Sequence, residues 1–132
     1  METIKVKTPT ILIAEDDEDD FFLMKRNFNL RYPQVHMVRV NHGEELLEYL
    51  QTHEAPSVII LDLNMPRKDG REALKDIRRQ PSLEKIPIIV FTTSYSDLDQ
   101  QFVVDNGAVF YPKPYEILNY YSFMNFFQKY IE

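Results

Sequence analysis

The chain has 132 residues, 15 Lys and Arg against 21 Asp and Glu, a formal net charge of −6, and an unbroken acidic run of Glu15, Asp16, Asp17, Glu18, Asp19 and Asp20. Removing those six leaves 15 acids facing 15 bases, so the chain is neutral apart from one anionic feature; nucleic-acid binding, which needs clustered excess Lys and Arg, is excluded. The length suits one domain, hydrophobic residues at 44% and aromatics at 13% suffice for a packed core, and the lack of Cys excludes disulfides, thiolate metal sites and Cys nucleophiles.

Residues 1–10 lack the apolar stretch of a signal peptide, and no apolar run approaches the roughly 20 residues of a membrane helix. The expectation is a cytoplasmic protein with no membrane partner, residues 1–10 forming a short N-terminal extension and 11–132 one domain. Ile11-Leu12-Ile13-Ala14 is a continuous apolar run, as are Val58-Ile59-Ile60-Leu61, Ile88-Ile89-Val90-Phe91 and Ala108-Val109-Phe110-Tyr111. Such runs predict strands buried on both faces, as in parallel sheets. Residues 35–40 alternate Val35, Met37 and an unpaired Arg39, the pattern of a half-exposed edge strand.

Helical spacing fills the intervals. Phe21, Met24 and Phe28 follow the acidic run; Leu46, Leu47 and Leu50 follow Gly43; Ala73, Leu74 and Ile77 follow Gly70. Segment 96–106 opens on Ser96, three residues before Asp99, and stops at Gly107. The last helix is expected over about 116–131. Five strand-helix alternations with short connections predict an α/β fold, a doubly wound (βα)5 sandwich with right-handed crossovers.

In such a sheet every strand ends on one edge, and ligands bind outside those carboxyl ends. After the four runs come Glu15 with Asp16, then Asp62, Thr92 and Lys113. Three carboxylates, a hydroxyl and an amine converge, and hydrophobic packing asks for none of them. Crowded carboxylates need a cation; hard oxygens without His or Cys suit Mg²⁺. Lys113 then reads as a point charge for a phosphate oxygen or a carboxylate, Thr92 as a hydroxyl donor, and an Asp carboxylate as a nucleophile that takes up a phosphoryl group. Asp17, Glu18, Asp19 and Asp20 read as first-turn acids complementing a helix dipole, while His36, His42 and His53 are too scattered for a metal site or catalytic base.

The segments Ile11-Leu12-Ile13-Ala14-Glu15-Asp16-Asp17, Asp62-Leu63-Asn64-Met65-Pro66 with Asp69-Gly70, Pro87 to Thr93, and Lys113-Pro114 resemble, in order and spacing, the signature segments of response-regulator receiver domains of two-component signalling. The resemblance implies a flavodoxin-like fold with strand order 2-1-3-4-5. It implies that Asp62 accepts a phosphoryl group from a phosphohistidine. Asp16 would bind Mg²⁺ directly, Glu15 directly or through water, and Asn64 through its backbone carbonyl. Lys113 would pair with Asp62 and then with the phosphoryl group; Thr92 would hydrogen-bond a phosphoryl oxygen, and Phe110 would be the switch aromatic whose rotamer follows Thr92. Many relatives carry Tyr there, so readout through Phe110 would rest on packing alone. Lys113-Pro114 is implied to be a cis peptide.

The resulting expectation is a stand-alone receiver, phosphorylated on Asp62 by a sensor histidine kinase or a phosphotransfer protein, signalling through an unknown output protein by contact. It is a phosphoacceptor switch and not an enzyme. Segments Arg71-Glu72-Ala73-Leu74 and 81–87 also resemble small regulators of phytochrome-type kinases. The rival is a small Mg²⁺-dependent phosphohydrolase with an Asp nucleophile; it would need a second carboxylate near Asp62, where Asn64 stands. In the last helix, Ile117, Tyr120 or Tyr121, Met124, Phe127 and Ile131 suffice to face the sheet. A second stripe, Phe123, Phe126 and Tyr130, leaves two readings open: a broad core contact, or excess apolar surface and with it a homodimer through the 96–132 face.

Overall fold

Four apolar runs and one alternating segment assemble into a single parallel sheet in the computed structural model, which describes residues 8–94, 96–114 and 120–131. The elements in chain order are β1 (Thr10–Ala14), α1 (Glu18–Arg31), β2 (His36–Val40), α2 (Gly43–Thr52), β3 (Val58–Leu61), α3 (Gly70–Arg78), a 3-10 turn (Pro81–Leu83), β4 (Ile88–Thr92), α4 (Asp97–Asp105), β5 (Val109–Pro112) and α5 (Tyr120–Ile131). Strand order is β2-β1-β3-β4-β5, all pairs parallel, with Ala14 opposite Val40 and Leu61, and Leu61 opposite Val90. This is the flavodoxin-like topology expected.

Successive side chains of a strand point to opposite faces, and both faces are covered. Ile11, Ile13, Ile60, Ile89 and Phe91 pack with Met24 and Phe28 of α1 and with Phe123 and Phe127 of α5. Leu12, Ala14, Ile59, Leu61 and Val90 pack with Leu46, Leu74, Ile77 and Val103 of α2, α3 and α4. The central strands are therefore apolar on both faces between their ends, which is why they read as continuous runs. Helix starts are fixed locally: Asp17 caps α1 by accepting from Asp20 N (3.0 Å), Asp69 caps α3 by accepting from Arg71 N and Glu72 N, and Ser96 caps α4 by accepting from Asp99 N (3.3 Å). After α4 the chain turns at Gly107, whose φ of 68° lies where a side chain is disfavoured.

Two expectations are corrected and one open alternative is decided. The run 108–111 predicted a strand buried on both faces; β5 begins one residue later and is an edge strand, with Val109 39% exposed and Pro112 at its end where no outer neighbour needs a donor. The second stripe of α5 follows the core-contact reading: Phe123 is fully buried, 4.2 Å from the Phe91 ring, and Phe126 and Tyr130 are half-buried, Phe126 against Tyr111. The twelve residues of α5 lie against both the sheet and α1, which widens the apolar face they need. Lys113-Pro114 is trans, the ordinary preference even before proline. The expected start of the last helix, and Ile117, lie outside the described residues.

Candidate functional site

At the carboxyl edge β1, β3 and β5 each run their ladder one residue further and set down a polar group, and β4 itself ends on Thr92. Glu15 N donates to Val40 O (3.1 Å), Asp62 N to Ala14 O (3.1 Å) and Lys113 N to Thr92 O (2.8 Å), so Glu15, Asp62, Thr92 and Lys113 are placed by strand register. All four are buried: Glu15 is 1% exposed, Asp62 6%, Thr92 0% and Lys113 5%. Asp16, one step further out, is exposed at the rim.

Lys113 is the hub. Its Nζ lies 2.6 Å from Glu15 Oε1, 2.8 Å from Asp20 Oδ2 and 3.1 Å from Asp62 Oδ2. The other oxygen of Asp62, Oδ1, accepts from Asn64 N at 3.1 Å, so the acceptor carboxylate is held from both ends. Behind it, α3 packs so closely that a Cβ on Gly70 would run into the Asp62 carbonyl and the Leu63 Cα; only glycine permits that approach. Thr92 Oγ1 accepts from Ser94 N (3.3 Å), leaving its own proton to be donated elsewhere. Phe110 lies opposite Val90 on β5 and packs, half-buried, on the cluster beneath α2, α3 and α4, the side on which Val90 and hence Thr92 point.

The electrostatics follow from burying acids together. Burial, and then the charge of Asp62, hold the Glu15 carboxyl well above the usual carboxylate range although Lys113 opposes both. Burial alone would lower Lys113; Glu15 and Asp62 reverse that and keep it firmly cationic. One lysine still faces Glu15, Asp20 and Asp62, with Asp16 close by. One oxygen each from Glu15, Asp16 and Asp62 lies within 4.8 Å of the others. An all-oxygen set with surplus negative charge, partly open to solvent through Asp16, fits a hard divalent cation.

Two residues of this site were not legible in the sequence. Asp20 was expected as a first-turn acid complementing the helix dipole, yet it also bonds Lys113 across 93 positions; the available signal is its place four residues after Asp16. Arg39, unpaired in the sequence pattern, donates to the carbonyls of Glu15 (3.0 Å) and Asp16 (3.2 Å) and stacks over Phe21 at 5.0 Å, fixing the loop that carries the acids. Its signal appears only once β2 is known to lie beside β1. His36, His42 and His53 take no part in the site. Among the described residues no helix is long and apolar enough to cross a membrane.

With this geometry established, comparison with known proteins gives a consistent picture. A family model described as the response regulator receiver domain matches residues 11–118. Response regulator Rcp1 of Synechocystis sp. is 34% identical over 95 residues, 67% of this chain and 65% of that protein, so the matched part spans slightly less than two thirds of the relative's length. The phosphorylated cyanobacterial phytochrome response regulator RcpA superposes with a TM-score of 0.87 at 26% identity, covering 95% of this chain and 94% of the other. The Mn²⁺-bound form of Rcp1 gives 0.86 at 26% identity, with 94% and 95% covered.

Proposed function

This chain belongs to the response regulator receiver family, and from that premise we propose that it is a switch turned by phosphorylation of Asp62. Members of the family are phosphoacceptors and not classical enzymes. The observation that carries the reading is the buried Asp62 carboxylate held by Lys113 Nζ and Asn64 N at the sheet edge where Glu15, Asp16 and Thr92 also end.

An Asp62 oxygen attacks the phosphorus of a phosphohistidine. The P–N bond breaks as the P–O bond forms, and the imidazole leaves with the electron pair and takes a proton from solvent. Glu15, Asp16, Asp62 and the Asn64 carbonyl would hold Mg²⁺, whose positive charge would offset that of the phosphoryl oxygens. Lys113, already within 3.1 Å of Asp62, carries its charge to the phosphoryl group once the aspartate is an acyl phosphate. Thr92 donates its free hydroxyl proton to a phosphoryl oxygen, and Phe110, on the same side of the sheet, adjusts its packing to the space that Thr92 leaves.

The donor is a sensor histidine kinase or a phosphotransfer protein; the likeness to RcpA and Rcp1 supports a kinase of the phytochrome type. The domain starts near residue 11, and Leu98, Val104 and Val109, exposed on α4 and β5, support output by protein contact, a homodimer included, through the 96–132 face.

Incubation with a small acyl phosphodonor and Mg²⁺ should give one phosphoryl adduct by intact mass, absent in Asp62→Asn and after chelation. An adduct that persists in that variant overturns the assignment. Steady multi-turnover phosphate release from a monoester would instead establish the phosphohydrolase reading.

A further inference from the structure

Arg71 stands in the first turn of α3, where a cation opposes the helix dipole. Its guanidinium reaches 28 residues along the chain to Asp99, in the first turn of α4. Nε donates to Oδ1 at 2.7 Å and Nη2 to Oδ2 at 2.6 Å, a two-pronged pairing with the Asp99 side chain 14% exposed. The same Oδ2 accepts from the Ser94 hydroxyl at 2.6 Å, and Ser94 N donates to Thr92 Oγ1 at 3.3 Å. A line of hydrogen bonds thus runs from the start of α3, through the start of α4, to the Thr92 hydroxyl at the pocket. Core packing asks for none of it: Arg71, Ser94 and Asp99 all lie outside both apolar clusters.

Resting on the phosphoacceptor reading above, we infer that the Arg71–Asp99 pair is a latch: through Ser94 it positions the Thr92 hydroxyl, and it holds the connection from β4 to α4 in the arrangement of the unphosphorylated protein. Thr92 Oγ1 is engaged as an acceptor from outside the pocket. For Thr92 to close on a phosphoryl group at Asp62, the Ser94 contact must be given up or carried along, and Ser94 is tethered to an aspartate that Arg71 clamps. The pair therefore favours the unphosphorylated state and sets how much of the phosphoryl interaction is spent in moving α4. Neither residue touches the reacting atoms; both are positioning residues acting through Thr92.

The test uses fluoroberyllate with Mg²⁺ as a phosphoryl mimic, titrated into the full chain. In Arg71→Gln and Asp99→Asn, fluoroberyllate affinity should rise by at least about fivefold, the lower end of ordinary coupling between sites. In a Thr92→Val background the same two substitutions should change it by less than about twofold, because the latch then has nothing to hold. A pair that only supports the fold would shift affinity equally in both backgrounds. That result, or unchanged affinity when Arg71→Gln and Asp99→Asn are made in the otherwise unaltered chain, with unfolding midpoints showing the variants folded, overturns the latch alone. Should one variant fail to fold, the other carries the same comparison. Failure of the unaltered chain to bind fluoroberyllate or to form an Asp62 adduct overturns the phosphoacceptor reading, and the latch with it.

Discussion

Lys113 shows at the scale of one residue how the pocket is held together. Its ammonium is the cation shared by Glu15, Asp20 and Asp62, two of which are buried. Lys113→Met keeps the bulk and removes the charge. Leaving buried acids without their cation should cost about 3 kcal/mol, measured as a lowered urea stability in divalent-free buffer. An unchanged value would mean the acids are better hydrated than their burial implies. Asp99 makes a second residue-scale prediction. Its carboxyl is held down to about 2 by the Arg71 guanidinium and then by the Ser94 hydroxyl. An unfolded Asp titrates near ~3.9. The bonds therefore add stability that is fully present above about pH 4 and lost as pH falls toward 2. Wild type should exceed Asp99→Asn in urea midpoint at pH 5, the gap narrowing steadily to pH 2; a constant gap would show that Asp99 does not titrate with this shift.

At the scale of elements, the connections carry much of the ordering that the sheet alone does not supply. Arg78, at the end of α3, donates to the carbonyls of Asn106 (2.8 Å) and Gly107 (3.0 Å) after α4, and to those of Glu84 (3.0 Å) and Ile86 (3.1 Å) after the 3-10 turn. One side chain thus satisfies two connections that have no ladder partners. Arg78→Met should cost about 2 kcal/mol through the carbonyls it strands, read by urea unfolding, with fluoroberyllate binding retained because the strand ends are untouched. A simultaneous loss of binding would show that these connections, and not register alone, set the pocket. Ser96 and Gly107, the start and stop signals of α4, were legible in the sequence because caps are local. The tie made by Arg78 was not, because it joins segments that local pattern cannot bring together.

For the whole molecule, a sheet covered on both faces leaves surface only on the helices and the edge strands. The apolar residues that remain exposed on α4 and β5 are Leu98 (83%), Val104 (60%) and Val109 (39%), whereas in the second α5 stripe Phe123 is core and Phe126 and Tyr130 are half-buried. If the 96–132 face joins two copies, sedimentation should shift from monomer toward dimer on fluoroberyllate treatment, and Leu98→Glu should abolish the shift. A monomer in both states at high concentration rules that interface out. Sequence by itself determined the (βα)5 order and the set Glu15, Asp16, Asp62, Thr92 and Lys113, since apolar runs define strands and parallel strands must end on one edge. Tertiary structure alone decided that Asp20 and Arg39 serve the pocket, that Arg71 clamps Asp99, and that Phe123 is core. Those contacts join residues 24 to 93 positions apart, or depend on which face of α5 meets α1, and they exist only once register and helix docking are fixed.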